Sequence, residues 1–401
     1  MNESPLSDVV SRQYERWVYP APIDDVADWL RDNHQRFDPS LNRRVFWPDR
    51  DHAPDLDILI AGCGTSQAAA FAFTNREARV VGIDISQASL AHQQYLKDKH
   101  GLANLELHHL PIEEVATLGM DFDLVVSTGV LHHMADPLAG LKALGTRLRP
   151  KGVLGLMLYA KYGRIGVETL QSVFRDLGLQ QDERSVELVK ETIGCLPRDH
   201  IVQPSLSDQT LVDTDLVDLC LHGRERSYSV DDCLEFVARA GLSFQGWLDN
   251  CCYYPELMVP QTGALRASLN RLPEAKLWSV MERLYTNNGC HFFIACRADR
   301  PRSQYAIDFS GALFAAYVPV PRHGFGIVGN DIVRLKMRCP VSPAQSAFLR
   351  QVDGRRTIAD IIARSGVSGE APELERFARD LFQSLWRLGC MAIAFEPQEP
   401  G

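Results

Sequence analysis

Asp57-Ile58-Leu59-Ile60-Ala61-Gly62-Cys63-Gly64-Thr65-Ser66 decides the fold. A short apolar run that stops at Gly-x-Gly reads as a strand buried on both faces, and the alanine-rich stretch from Gln67 reads as the helix that follows it. Glycines at such a turn let backbone amides come close to a ligand, and the helix start aims its positive end at the same place. The next strand, Arg79-Val80-Val81-Gly82-Ile83, ends at Asp84, where a carboxylate can accept the hydroxyls of a ribose.

Outward from this unit the rhythm repeats. Ser86 is placed to cap a helix that runs to the Gly101 stop, a third strand covers 104–108, and Phe122-Asp123-Leu124-Val125-Val126 is a fourth. Asp136-Pro137 starts a helix with apolar residues at Leu138, Leu141, Leu144 and Leu148. Pro150 and Gly152 end it, and Val153 to Tyr159 is the fifth strand. The rhythm lapses from about 160 to 228, which is too long for a plain connection and predicts an insertion with helices of its own. It resumes with a helix over 230–240, a strand over 242–249, a second insertion over 251–285 and a last strand from Cys290 to Arg297. Strands alternating with helices in this way predict a mostly parallel seven-stranded α/β sheet.

Two flanking zones differ. Residues 1–55 are punctuated by Pro20, Pro22, Pro39, Pro48 and Pro54 and read as an N-terminal cap ahead of a domain over 56–300. After 301–329, read as a linker that is Pro/Gly-rich from Pro319 to Gly329, residues 330–397 hold three short helical periods and an alternating strand. This is the order of a small α+β winged-helix-like domain. Leu374, Phe377, Leu381, Leu385 and Leu388 make one stripe of its longest helix.

Over 401 residues, 42 Lys and Arg against 51 Asp and Glu leave a net charge of −9, which disfavours nucleic acid as a partner. The first residues lack the basic-then-apolar pattern of a secretory signal, and no apolar run reaches the ~18 residues of a spanning helix, so no membrane association and a cytoplasmic setting are expected. The ten cysteines form no C-x-x-C pair and are expected as reduced thiols. Cys251-Cys252 and the group Cys290, His291 and Cys296 could meet a metal, but strand alternation explains the latter, and no metal is expected.

The successive segments Ile58 to Thr65, Gly82 to Ser86, Phe122 to Val125, Gly129-Val130-Leu131-His132-His133-Met134-Ala135-Asp136-Pro137 and Leu148-Arg149-Pro150-Lys151-Gly152 resemble the ordered motifs of class I S-adenosylmethionine-dependent methyltransferases. The resemblance implies a Rossmann-like sheet whose last strand is antiparallel, with S-adenosyl-L-methionine bound across the ends of the first strands. It places Gly62, Cys63 and Gly64 at the methionine part, Asp84 at the ribose and Ile85 on the adenine face. Pro111 and Ile112 would border the adenine, and Ser127 to Val130, with Gly129, would lie beneath the sulfonium. Three positions depart from the pattern: Ile60 stands where an acid is usual, Ser66 where a third glycine is frequent and Pro111 where a carboxylate is usual. Each missing polar contact is worth about 1 kcal/mol, and Gln67 and the N-terminal cap are the candidates to compensate. The C-terminal segment Asp353 to Ile361 looks like the small peptide-binding modules of the PqqD-like kind.

Methyl transfer needs mainly proximity and desolvation, because the leaving group is already a sulfonium. Where the acceptor is a hydroxyl, thiol or protonated amine, His132 or His133 could take the proton. Tyr19, with Tyr14 and Trp17, could exclude water or face the sulfonium. Arg164 and the cluster from His222 to Arg226 follow the fifth strand, where acceptor sites form. Closure by the cap and both insertions favours a small-molecule acceptor. A peptide or protein brought by the C-terminal domain, or a regulator that binds S-adenosylmethionine without catalysis, are the alternatives. The oligomeric state is open.

Overall fold

The computed structural model describes residues 4–50, 54–206, 211–335 and 337–395. Their contacts divide them into two compact units, one comprising Met1–Gln35, Pro54–Gly246 and Glu282–Asp299, the other Arg36–Ala53, Trp247–Met281 and Arg300–Gly401.

The first unit is built on a seven-stranded sheet formed by β1 (Asp57–Ala61), β2 (Arg79–Asp84), β3 (Leu105–His109), β4 (Phe122–Thr128), β5 (Leu148–Tyr159), β6 (Leu242–Trp247) and β7 (Cys290–Arg297). The order is β3-β2-β1-β4-β5-β7-β6. The first five strands pair in parallel and β7 runs antiparallel to β5, as the motif order implied. Ile58, Leu59, Ile60 and Ala61 are wholly buried, which is why β1 reads as an unbroken apolar run: helices cover both faces of a central parallel strand. The caps read from sequence are in place. Ser86 Oγ accepts the Ser89 N–H at 3.1 Å, the helix it starts ends at Gly101 with φ +58°, and Asp136 Oδ1 accepts the Ala139 N–H at 3.0 Å. Such caps are each worth about 1 kcal/mol. The fifth strand begins earlier than expected, at Leu148. A register shift between Phe122 and Leu124 takes up the Pro150 to Gly152 segment, so the residues expected only to end a helix also form a bulged strand start.

The segment after β5 carries helices Ile165–Asp176, Glu183–Cys195, Gln203–Leu206 and Asp213–Cys220, with a core of their own around Leu170, Phe174, Val186, Val189 and Val217. Along β7, Cys290, His291 and Cys296 follow the strand alternation, and His291 Nε2 donates to Tyr228 O at 2.9 Å.

The second unit has a core of Phe309, Phe314, Phe348, Ile358, Ile361, Leu381 and Phe382. The helices Pro343–Leu349, Ile358–Arg364 and Ala371–Arg387 appear in the expected order, the second capped by Thr357. Residues 301–329, expected as a linker, hold two strands, β8 (Val318–Pro321) and β9 (Phe325–Val328). β8 pairs antiparallel with β12 (Met391–Ala394), while β9 joins β10 (Asp331–Arg334) and β11 (Met337–Pro340) in a small antiparallel sheet. Pro319 and Pro321 alternate with Val318 and Val320 along β8, and an edge strand tolerates proline where no ladder N–H is required. In this unit Asp249 accepts from Arg322 at 3.1 Å, Arg334 at 3.0 Å and Arg36 at 3.1 Å. Burial alone would raise its carboxyl, but the three guanidinium groups bring it down to about 2. All ten cysteines are free thiols, with the Cys251 and Cys252 sulfurs 3.9 Å apart. Among the described residues, no helix is long and apolar enough to cross a membrane.

Candidate functional site

A cavity of about 380 Å³ opens at the C-terminal ends of β1, β2 and β4, within the first unit, a volume that suits a small organic ligand. Gly62 and Gly64 line it with φ +76° and +53°. A Cβ on Gly62 would lie 2.3 Å from Val130 Cγ2, so the loop is glycine for its backbone and for its neighbour alike. Asp84 receives the Gly64 N–H on Oδ2 at 2.8 Å and the Ser86 N–H on Oδ1 at 2.9 Å. Burial raises this carboxyl and the two N–H donors oppose the rise. Each oxygen keeps a further lone pair for a ligand hydroxyl.

Of the positions singled out from sequence, Gly62, Cys63, Gly64, Asp84, Ile85, Ile112, Gly129, Tyr19 and His133 line this cavity. Pro111, Ser127 and His132 are buried and are not among its lining residues; Leu110, Glu113 and Thr128 are. Ile60 is wholly buried in β1, while Gln67, the candidate to compensate for it, lines the wall and donates to Gln35 Oε1 at 3.0 Å and Thr128 Oγ1 at 3.4 Å.

The roof comes from the start of the chain. Pro5, Tyr14, Tyr19, Pro20 and Trp29 face the cavity. Thr65 Oγ1 donates to Pro20 O at 3.0 Å, and Pro20 Cδ sits 3.0 Å from where a Cβ on Gly64 would be. Further along, His92 Nε2 donates to Ile23 O at 2.9 Å and Lys99 to Asp24 O at 2.6 Å.

Beyond Gly129 the wall becomes polar, with Tyr159, His133, Tyr14 and Asp218. Asp218, on the Asp213–Cys220 helix, was not anticipated from sequence. It is 5% exposed and accepts the Tyr14 O–H at 3.0 Å. Burial pushes its carboxyl up to about 7, more than the Tyr14 hydrogen bond and Arg164 pull it down. The tautomers follow from the backbone. Arg224 N–H donates to His222 Nδ1 at 3.0 Å, so neutral His222 carries its proton on Nε2, 3.2 Å from the Tyr14 oxygen. Arg224 O accepts from His133 Nδ1 at 2.8 Å, which leaves a lone pair on His133 Nε2. Burial holds His133 down to about 3, and the two imidazoles stack at 3.8 Å. His133, His222 and Asp218 bring metal-ligand atoms within 4.8 Å of one another, but the proton on His222 Nε2 points at Tyr14 and leaves no lone pair there for a cation.

His132 is wholly buried, 4.0 Å from the Tyr159 ring, and neither of its nitrogens has a partner among the described residues. That makes it a packing residue, unable to meet an acceptor. Arg164 stacks 3.6 Å from the other aromatic wall residue, Tyr159, and pairs with Glu225 at 2.8 Å, both side chains buried.

Residues 59–154 match the family profile described as a methyltransferase domain. An uncharacterised protein of Synechococcus sp. is 27% identical over 387 residues, which is 90% of this chain and 89% of that protein. The ubiquinone biosynthesis O-methyltransferase of Acinetobacter baylyi is 32% identical over 134 residues, 32% of this chain and 55% of the enzyme, so this match spans about half of that relative's length. Among solved structures, that of PKMT2 from Rickettsia typhi in complex with AdoHcy superposes with a TM-score of 0.65 at 15% identity, over 90% of this chain and 75% of that one. This last likeness is one of fold.

Proposed function

We propose that the protein, an S-adenosylmethionine-dependent methyltransferase, transfers the methyl group to a small molecule held in the roofed cavity. The observation that carries this reading is the cavity wall, in which the Gly62 to Gly64 turn and Asp84 share one space with the roof residues Tyr14, Tyr19 and Trp29. The cofactor supplies a methyl group already bonded to a cationic leaving group. In this reading the Gly62 to Gly64 amides hold the amino-acid part, Asp84 accepts the ribose hydroxyls, and Ile85 and Ile112 pack against the adenine. Glu113 lies in the wall near the position that Pro111 leaves without a carboxylate. Gly129 and Val130 floor the reacting carbon, and the Tyr14, Tyr19 and Tyr159 rings keep water from it. Relatives include a ubiquinone biosynthesis O-methyltransferase and a tRNA 5-carboxymethoxyuridine methyltransferase, which differ in acceptor, so the choice of a small molecule rests on the roof.

Calorimetry with S-adenosylhomocysteine tests the cofactor part. Asp84→Asn, which keeps one acceptor oxygen for the loop amides, should weaken binding by about 10- to 100-fold, the loss of a charge-assisted hydrogen bond. Affinity unchanged by that substitution removes the ribose assignment. Methyl-labelled cofactor given to a whole lysate should place the label in the low-molecular-weight fraction; label confined to protein or RNA refutes the small-molecule acceptor.

A further inference from the structure

The charge of the cavity wall discriminates among acceptors. Of the four carboxylates in the lining, Asp8 is paired with Arg224 at 2.9 Å, Asp84 is given to the ribose and Glu113 lies beside the adenine position, which leaves Asp218 for an acceptor; among the described residues no lysine or arginine lines the cavity. The rings of Tyr14, Tyr19, Trp29 and Tyr159 complete it. The nearby cations are already neutralised: Arg164 pairs with Glu225 at 2.8 Å and Arg224 with Asp8 at 2.9 Å. A carboxylate or phosphate acceptor would meet the Asp218 charge with no lysine or arginine in the lining to offset it. A neutral alcohol would gain nothing from that charge on entering. A cation is favoured by the Asp218 carboxylate and by the ring faces of Tyr14, Tyr19 and Tyr159 together.

Resting on the methyltransferase reading, we propose that the acceptor is an amine that enters as its ammonium ion and that Asp218 removes its proton. Asp218 is fixed for this task. The Tyr14 hydroxyl holds Oδ1, His222 Nε2 orients that hydroxyl, and the carboxylate borders the cavity next to His133. Its near-neutral carboxyl agrees with the role. The charged and titratable groups around it are Tyr14 and Tyr19 from the roof, Asp215 on its own helix, Arg164 and Glu225, Tyr159 from β5, and the two imidazoles, which burial keeps neutral. The ammonium N–H bond breaks and its proton goes to the Asp218 carboxylate, leaving a neutral amine. The amine nitrogen then forms its bond to the methyl carbon as the carbon–sulfur bond breaks and that electron pair goes to sulfur. The product is a methylammonium ion and the neutral thioether, and Asp218 returns its proton to solvent.

The test uses the full chain, methyl-labelled cofactor and a protein-free small-molecule extract. Half of the extract is treated with an acetyl succinimidyl ester, which blocks primary and secondary amines and leaves alcohols and carboxylates free. Labelling should fall at least about tenfold in the treated half, and the labelled product should be retained on a cation exchanger. Equal labelling of both halves, or a label released as methanol by mild alkali, overturns the amine assignment. Absence of cofactor binding by calorimetry in the same preparation defeats the methyltransferase reading instead. With the untreated extract, the wild-type rate should climb as pH rises through about 7 and then level, since the base must be ionised. Asp218→Asn should lose about 100-fold in rate with cofactor affinity retained, and Asp218→Glu should recover part of it. A fully active Asp218→Asn, or activity that depends on added manganese or zinc, overturns the role given to Asp218.

Discussion

Substitution of Gly62 by alanine separates two strains that the structure places at one residue. The φ of +76° costs an L-residue about 1–2 kcal/mol. The added Cβ would stand 2.3 Å from Val130 Cγ2, about 1 Å inside the 3.4 Å at which ordinary contact begins, and overpacking of that kind costs about 1–3 kcal/mol. Gly62→Ala should therefore lower the unfolding free energy, measured in denaturant with saturating S-adenosylhomocysteine, by about 2–5 kcal/mol. The bound state is the right reference because the strain is shared between the fold and the site. Val130→Ala removes the Cγ atoms that cause the overlap but leaves φ untouched. In a double-mutant cycle the two substitutions should couple favourably by about 1–3 kcal/mol, the double variant keeping only the backbone penalty. A coupling within about 0.5 kcal/mol of zero would refute the steric argument. A single Gly62→Ala variant as stable as the wild type would refute both parts.

Two other substitutions probe the polar wall. Arg164→Met should cost about 3–5 kcal/mol in thermal or chemical melts because it strands the buried Glu225 carboxylate, whereas the pair Arg164→Met/Glu225→Gln should recover most of that; equal losses would mean the pair is not electrostatically coupled. His132→Phe keeps the ring and removes two unpartnered nitrogens, so stability should hold within about 1 kcal/mol or rise, and turnover should persist. A dead but folded His132→Phe enzyme would return that residue to the list of bases.

The glycine-turn end of the cavity was legible because its determinants are local. A strand buried on both faces leaves an apolar run, its turn demands glycine, and Asp84 closes the very next strand. Caps at Ser86 and Asp136 were legible for the same reason. The end around Asp218 was not. Asp218 stands in Asp213-Thr214-Asp215-Leu216-Val217-Asp218, which in isolation reads as the solvated acidic face of a helix. Only the hydrogen bond from Tyr14, 204 positions earlier, and the burial it brings distinguish it from Asp215. The two histidines likewise look equivalent in sequence, and only the carbonyl of Arg224, 91 positions later, marks His133 as the one with a lone pair toward the cavity. β8 escaped notice because its two prolines break both periodicities. Its partner β12 lies some seventy residues on, out of reach of any local pattern.

The roof has a thermodynamic consequence. Residues that precede β1 in sequence are tied to the helices after β1 and β2 by Thr65, His92 and Lys99, each through a backbone carbonyl of the roof. A ligand that binds beneath that segment best when it is in place favours those hydrogen bonds. Cofactor affinity and the order of residues 5–35 are then expected to be two readings of one equilibrium: whatever loosens that segment should weaken the cofactor, and saturating cofactor should shield the segment from a protease to the same degree.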